Sequence, residues 1–330
     1  MRVAENLNRA LHGVLADDPG VHVLGEDITD PYGGAFKATR GLSDRFPDRV
    51  HAMPLSENAI VGVAGGLALA GDKAIVEIMF SDFVGLAFDA VLNLLSKSVT
   101  MYGRRVPMPV VVRCPTGGGR GYGPTHSQSL QKHFLGIPGL SVYEMSPFHE
   151  IRDQFDAMLA SAEPCLYFED KVLYTRPMYT GGVVDDLLRY ELADGVARVC
   201  AEDPQAATCV VIAPGGVAHR AMAAIRSVLV EDETSCVLLV PDRLYPFDVR
   251  PLLPLLARAG AVVVAEESTA GGTWGADVAA AVHEELWGRL RRPVVLAHSA
   301  GSVVPAAVHL ERTVLLQEEN IRDAIRRAVA

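Results

Sequence analysis

Apolar residues along this chain fall into two rhythms. Short runs dense in Val, Ile and Leu alternate with longer stretches in which apolar positions recur every three or four residues, as expected for a parallel sheet covered by helices. In the first part the strand candidates are VHVLG (21–25), AIVEIMF (74–80), PVVVRCP (109–115), LSVYEM (140–145) and CLYFED (165–170). Val3, Leu7, Leu11, Val14 and Leu15 share one face of an opening helix, and residues 84–102 form a long helical pattern stopped by Gly103. After Tyr174 the pattern loosens, and a second series follows: TCVVIAPGG, CVLLVPD, AVVVAEES and PVVLAHS, with helical stretches between. The last helix, 317–329, carries Glu318 and Glu319 in its first turn and Arg322, Arg326 and Arg327 later, matching the helix dipole. The expected fold is α/β in two domains, 1–190 and 191–330, each a mostly parallel sheet covered by helices.

A chain of 330 residues with 49% hydrophobic content can bury the cores of two such domains. Thirty basic against forty acidic residues leave a net charge of −10, and no Lys/Arg run exceeds a pair. That excludes the electrostatic footprint of a nucleic-acid binder and disfavours anionic membrane surfaces. The longest uncharged stretch, 293–310, is broken by two prolines, two histidines and two serines, and reads as strand plus loop, not as a membrane span. The N-terminus lacks a signal-peptide pattern, so the expected location is the cytoplasm. Cys114, Cys165, Cys200, Cys209 and Cys236 form no C-x-x-C pair, which fits reduced, mostly buried thiols and no cysteine metal site.

Candidate chemistry lies in three segments. MPLSENAIVGVAGGLALAG (53–71) holds one charge, Glu57, and then no other before Asp72. Pro54 and the N-cap candidate Ser56 precede an apolar run whose Gly62, Gly65 and Gly66 suit a closely packed, buried helix. Glu57 in its first turn either complements the helix dipole or is desolvated enough to hold a proton and share it with a ring nitrogen. In EIMFSDFVGLAFDA, Phe80 and Phe83 stand where a strand passes into a helix, placed either for core packing or for stacking on a planar ring. RCPTGGGRGYGPTHSQS (113–129) packs five glycines and two prolines into a loop after a strand, and His126 near its end is a candidate acid/base.

In this order the segments resemble the β subunit of the thiamine-diphosphate-dependent, decarboxylating component of 2-oxoacid dehydrogenases (pyruvate, branched-chain and acetoin types), within the transketolase superfamily. The similarity runs through GEDITDPYGGAFKATRGL (25–42), MPLSENAIVG (53–62), IMFSDF (78–83), GGGRGYGPTHSQS (117–129), PGLSV (138–142), FEDKVLY (168–174) and GGTWGAD (271–277). The resemblance implies a pyrimidine-binding domain followed by a transketolase C-terminal-like domain. It matches Glu57 to the glutamate that bonds the N1′ nitrogen of the cofactor's aminopyrimidine, Phe80 and Phe83 to the aromatics flanking that ring, and His126 to the histidine facing the substrate. Family members often carry K⁺ on carbonyls at positions matching Val110, Val111 and Met158, with an acidic residue and an Asn where this chain has Ser161 and Glu163. The G-D-G and Asn-Asn motifs that hold Mg²⁺ and diphosphate are absent from this sequence. The resemblance therefore implies an α subunit carrying that half of the site, an α₂β₂ heterotetramer, and acyl transfer to a lipoyl-bearing acyltransferase. Two alternatives stand beside it: a two-subunit transketolase-like enzyme that forms C–C bonds, and a non-catalytic assembly or regulatory subunit.

Overall fold

The structure, a computed structural model, describes all 330 residues. Two compact units emerge, Met1–Thr116 with Phe134–Met178, and Gly117–His133 with Tyr179–Ala330. The boundary expected at 190/191 thus stands beside a division at 178/179, and the glycine-rich segment belongs with the second unit although it lies between two strands of the first.

The first unit runs α1 (Val3–Asp17), β1 (Val21–Gly25), α2 (Leu42–Arg45), β2 (Val50–Ala52), α3 (Glu57–Ala70), β3 (Lys73–Glu77), a 3₁₀ stretch (Ser81–Ala87), a π turn (Ala90–Leu95), α4 (Ser96–Ser98), β4 (Val110–Thr116), β5 (Ser141–Glu144), α5 (Ile151–Ala160) and β6 (Cys165–Asp170). Its strands lie side by side in the order β2-β1-β3-β4-β6-β5, all parallel. Leu24, Val76, Val112, Leu166 and Val142 form one row across the sheet. Every residue of β4 and β6 is buried, the mark of a parallel sheet covered on both faces. Burial of each large aliphatic side chain contributes about 1.5–3 kcal/mol. The apolar face of α1 expected from the sequence is buried in full.

Two helical expectations change. Residues 84–102 do not form one α-helix; a 3₁₀ segment, a π turn and one α turn replace it. The π turn falls where Gly65 of α3 meets Leu94 and Leu95, whose methyls would lie 3.0 Å from a Cβ there. Helix α3 is buried on one side only, through Glu57, Ile60, Val61, Ala64, Gly65 and Ala68, while Val63, Gly66 and Leu69 are exposed. Gly65 alone serves close packing within the chain, because a Cβ on Gly62 or Gly66 would meet nothing within 4 Å.

The second unit contains β7 (Arg189–Ala193), β8 (Val196–Cys200), β9 (Cys209–Ile212), α6 (Ala218–Asp232), β10 (Cys236–Pro241), β11 (Arg243–Tyr245), α7 (Leu253–Ala259), β12 (Val262–Thr269), α8 (Trp274–Leu286), β13 (Val295–Ser299), α9 (Val308–Val314) and α10 (Glu318–Val329). Its sheet has the order β13-β12-β9-β10-β8-β7, with β8 antiparallel to both β10 and β7 and the other pairs parallel. The β7–β8 hairpin turns on Asp194-Gly195, both at positive φ as a two-residue hairpin loop requires. No helix is long and apolar enough to cross a membrane.

Candidate active site

In the first unit, acidic side chains gather at the carboxyl ends of the strands, where parallel sheets present ligand sites. Strand β1 ends on Gly25, where a Cβ would come within 2.9 Å of the Ile28 methyl and 3.0 Å of the Glu77 carbonyl oxygen. The tight approach carries the chain straight into Glu26, which is 4% exposed. One Glu26 carboxyl oxygen is buried without a hydrogen-bond partner. Burial first, then the charges of Glu57, Asp27 and Glu77, raise the Glu26 pKa above its ordinary value, while the Ser56 N–H hydrogen-bonds the carboxylate and pulls the other way. Glu57 opens α3, at the positive end of the helix dipole, and is 9% exposed.

Phe80 and Phe83 lie one turn apart beyond β3. That strand stops at Glu77, not at Phe80 as its apolar run predicts. Ile78 N–H still bonds the Arg113 carbonyl at 3.0 Å, after which the chain leaves the sheet and enters the 3₁₀ stretch. Both rings are half-buried, and the Phe83 N–H donates to the Phe80 carbonyl at 3.0 Å. Phe80 meets Phe36 edge-on with centroids 5.6 Å apart, and the Lys171 ammonium stands 5.6 Å from the Phe80 centroid. Glu57, Phe80 and Phe83 thus belong to one unit, and α3 packs on the 3₁₀ stretch that carries Phe83.

One residue row beyond the aliphatic core, Glu77 and Arg113 face each other on β3 and β4. The Arg113 guanidinium grips Glu169 through two bonds, 2.6 and 2.9 Å, and Glu77 through one of 2.7 Å. Tyr174 donates its hydroxyl to Glu169 at 2.6 Å. Burial pushes the Glu77 carboxyl up against the pull of Arg113, and burial likewise pushes the Tyr174 phenol and the Cys114 thiol up.

His126 belongs to the second unit. It is half-buried in a turn closed by its own N–H on the Gly123 carbonyl at 3.3 Å, with its Nδ1 3.0 Å from the Thr125 hydroxyl. The loop that carries it is anchored to that unit by carboxylates. Gly118 N–H and the Ser129 hydroxyl donate to Glu267 at 2.8 and 3.2 Å, and Gly119 and Gly121 N–H donate to the two oxygens of Glu311 at 2.9 and 3.0 Å. Arg220 pairs with Glu267 at 2.6 Å. Burial alone would raise the Glu267 carboxyl, but Arg220, the Gly118 N–H and Ser129 hold it below its ordinary value. Lys132 ends the loop by donating to Thr269 O, Thr269 Oγ1 and Gly271 O at 2.8, 3.2 and 2.9 Å. A cavity of about 410 Å³ opens beside the loop; Lys132 and Glu267 lie in its wall and are both already paired.

At the positions that the sequence resemblance matches to a potassium site, the groups have partners within the chain. The Met158 carbonyl accepts the Ser161 hydroxyl at 2.7 Å, Glu163 pairs with Arg105 at 2.5 Å, and Val110 and Val111 lie in the β3–β4 ladder. Sequence reasoning did not single out Glu26, Glu267 or Glu311. The cue for Glu26 was an acid directly after a strand that ends on glycine; Glu267 and Glu311 carry no local cue, because their partners lie far away in sequence.

Comparison with known proteins adds lineage to this geometry. The family described as transketolase, pyrimidine binding domain, matches residues 1–177, and that described as transketolase, C-terminal domain, matches 200–321. The pyruvate dehydrogenase E1 component subunit beta of Leifsonia xyli is 32% identical over 98% of this chain and 93% of its own. The 3-methyl-2-oxobutanoate dehydrogenase subunit beta of Mycobacterium tuberculosis is 31% identical over 100% and 92%. The acetoin:2,6-dichlorophenolindophenol oxidoreductase subunit beta of Cupriavidus necator is 29% identical over 98% and 96%. Among solved structures, a split-gene transketolase in an inactive β₄ tetramer superposes with a TM-score of 0.75 at 20% identity, over 98% of this chain and 97% of that one, which is a likeness of fold.

Proposed function

The chain belongs to the transketolase family through its pyrimidine-binding and C-terminal domains, and from that membership we propose that it is the β subunit of a thiamine-diphosphate-dependent 2-oxoacid dehydrogenase. The observation that carries this is similarity along the full chain to β subunits of enzymes of that kind, at about 30% identity. The first unit's residues fit the ring half of the cofactor. The carboxyl of Glu57 stands at a helix N-terminus with the raised carboxyl of Glu26 as its neighbour, one Glu26 oxygen is unpartnered, and the faces of Phe80 and Phe83 are half-open. For the diphosphate half the chain lacks the G-D-G and Asn-Asn motifs that would hold the magnesium complex.

In this proposal Glu57 holds a proton on its carboxyl and shares it with the pyrimidine N1′, while Phe80 and Phe83 keep that ring in one plane. Glu26 beside it is held above its ordinary pKa, by burial first and then by the charge of Glu57. His126 serves the substrate side, stabilising the oxygen of the 2-oxo group as charge develops and assisting departure of the acyl group to a lipoyl domain. The bound cofactor would supply an acidic thiazolium carbon and a sink for the electron pair released by decarboxylation. Magnesium and diphosphate would be held by a separate α subunit, in an α₂β₂ assembly. The outer side of α3, where Val63 and Leu69 are 45% and 41% exposed, and Leu55 just before the helix, 83% exposed, supply apolar surface for such an assembly.

The test is reconstitution. The purified chain should show no tight calorimetric binding of magnesium thiamine diphosphate and no decarboxylation of pyruvate or 3-methyl-2-oxobutanoate, and both should appear with an α chain carrying G-D-G and Asn-Asn. Micromolar binding or turnover by the chain alone would overturn the split site.

A further inference from the structure

The segment 117–129 has the backbone of an anion cradle. Gly117, Gly119, Gly121 and Gly123 take φ values of +84°, +82°, +70° and +81°, while Gly118, Arg120 and Tyr122 do not adopt positive φ. Such alternation turns N–H groups of neighbouring residues toward one point, the arrangement that binds phosphates in glycine-rich loops. Here the point is occupied. The two oxygens of Glu311, on α9, take the N–H groups of Gly119 and Gly121 at 2.9 and 3.0 Å, and Glu311 is 1% exposed.

We propose that Glu311 is a built-in anion filling this glycine cradle, and that with Glu267 it positions the His126 turn. The glycines then serve the chain's own carboxylate, not the diphosphate of a ligand. The second half of this inference rests on the role given to His126 above.

The close fit around the loop supports this. A Cβ on Gly118 would lie 2.3 Å from the Leu315 side chain and 3.2 Å from a Glu311 oxygen, so glycine is demanded there by Leu315 and Glu311. A Cβ on Gly121 would meet the Ala306 carbonyl and the Val308 side chain, both at 3.3 Å. A phosphate entering the cradle would have to displace a buried carboxylate of like charge that makes charge-assisted bonds to both N–H groups. Glu267 forms the second clamp. The same oxygen takes the Gly118 N–H and the Ser129 hydroxyl, joining the two ends of the loop, and Gly117 N–H reinforces the closure on the Gln128 carbonyl at 3.2 Å. Between the two clamps lies the Gly123–His126 turn. A histidine displaced by about 1 Å can lose on the order of 10²-fold in rate, which gives a distant clamp its leverage on chemistry.

The test uses the full chain paired with its α subunit and three variants: Glu311→Gln, which exchanges one acceptor oxygen for a donor; Gly121→Ala, which strains the loop without touching a carboxylate; and His126→Ala. In both loop variants, hydrogen exchange at the amides of residues 119 and 121 should speed up at least roughly tenfold. Their kcat should fall roughly 10- to 100-fold with KM for the 2-oxoacid little changed. Added to His126→Ala, neither should slow turnover further. Exchange within twofold of wild type in both variants would overturn the cradle, as would protection of the wild-type amides by inorganic diphosphate. A kcat loss that persists undiminished beside His126→Ala would overturn the positioning role. Wild-type turnover by His126→Ala alone would refute the role of His126, and the positioning with it, while the exchange result judges the cradle separately.

Discussion

Replacing Arg113 with methionine keeps an unbranched apolar stem in β4 and removes the cation that Glu77 and Glu169 share. All three side chains are buried, with Arg113 and Glu169 at 0% and Glu77 at 2% exposure. Removing one partner of a buried ion pair typically costs about 3–5 kcal/mol, because the remaining charge stays desolvated. A second route gives a similar size. A stranded glutamate escapes by taking a proton, and at pH 7, against an unfolded pKa of about 4.3, that costs roughly 3.7 kcal/mol. Glu77 should be the one to protonate: burial already pushes its pKa up, whereas Glu169 keeps the Tyr174 hydroxyl at 2.6 Å. Urea unfolding at pH 7 should therefore show a loss of about 3–5 kcal/mol. The sign with pH follows from linkage. The folded variant binds a proton at Glu77 that its unfolded chain at pH 7 does not, so its deficit relative to wild type should shrink by about 1.4 kcal/mol per pH unit as pH falls from 7 toward 5. Adding Glu77→Gln should restore much of the loss and flatten the pH dependence. A deficit under about 1 kcal/mol, or one that widens on acidification, would refute the buried-charge account.

Two predictions address the chemistry of the α-paired enzyme. Glu57→Gln keeps the shape of the side chain but cannot pass a proton to the ring; exchange of the thiazolium carbon proton, followed by NMR, should slow by at least roughly two orders of magnitude, about 2.7 kcal/mol, with the fold intact, and exchange at the wild-type rate would remove Glu57 from this role. His126→Ala should retain cofactor binding while turnover falls by roughly 10² to 10⁴; lost cofactor binding with normal substrate binding would place His126 in the cofactor shell instead.

Much of the framework was legible in the order of residues because it depends on local periodicity. The apolar face of α1, the buried β4 and β6, and the acidic first turn and basic last turn of α10 all follow patterns contained within one element. The misses involve distant partners. Nothing within 84–102 marks a π turn, which lies where Leu94 and Leu95 approach Gly65 of α3. The apolar run of α3 suggested burial all round, yet one side is left for surface, and hydropathy alone does not tell a core face from an apolar exposed one. The β7–β8 hairpin reads as a loosened pattern because β7 is mostly exposed, although Asp194-Gly195 after it is a strong hairpin signal. At the site, Glu57, Phe80, Phe83 and His126 stood out through unusual local composition, while the acids that surround or support them did not.

How completely each buried glutamate is hydrogen-bonded separates candidate proton carriers from structural acids. Glu169 is held by Arg113 and Tyr174, Glu311 by two glycine N–H groups, and Glu267 by Arg220, Gly118 and Ser129. A carboxylate with its oxygens so occupied is fixed in place, which suits a clamp and not a shuttle. Glu77 has the Arg113 guanidinium. Glu26 differs: it is buried, its pKa is raised, Glu57 contributes to that rise, and one of its oxygens has no partner within the chain. An unfilled acceptor in a desolvated acid is costly to folding, by about 1–3 kcal/mol, and a fold that keeps one beside a second acid gains most if the vacancy is used when a ligand arrives. In the proposed function, the Glu26–Glu57 pair is therefore the place in the first unit that would exchange a proton with a bound ring.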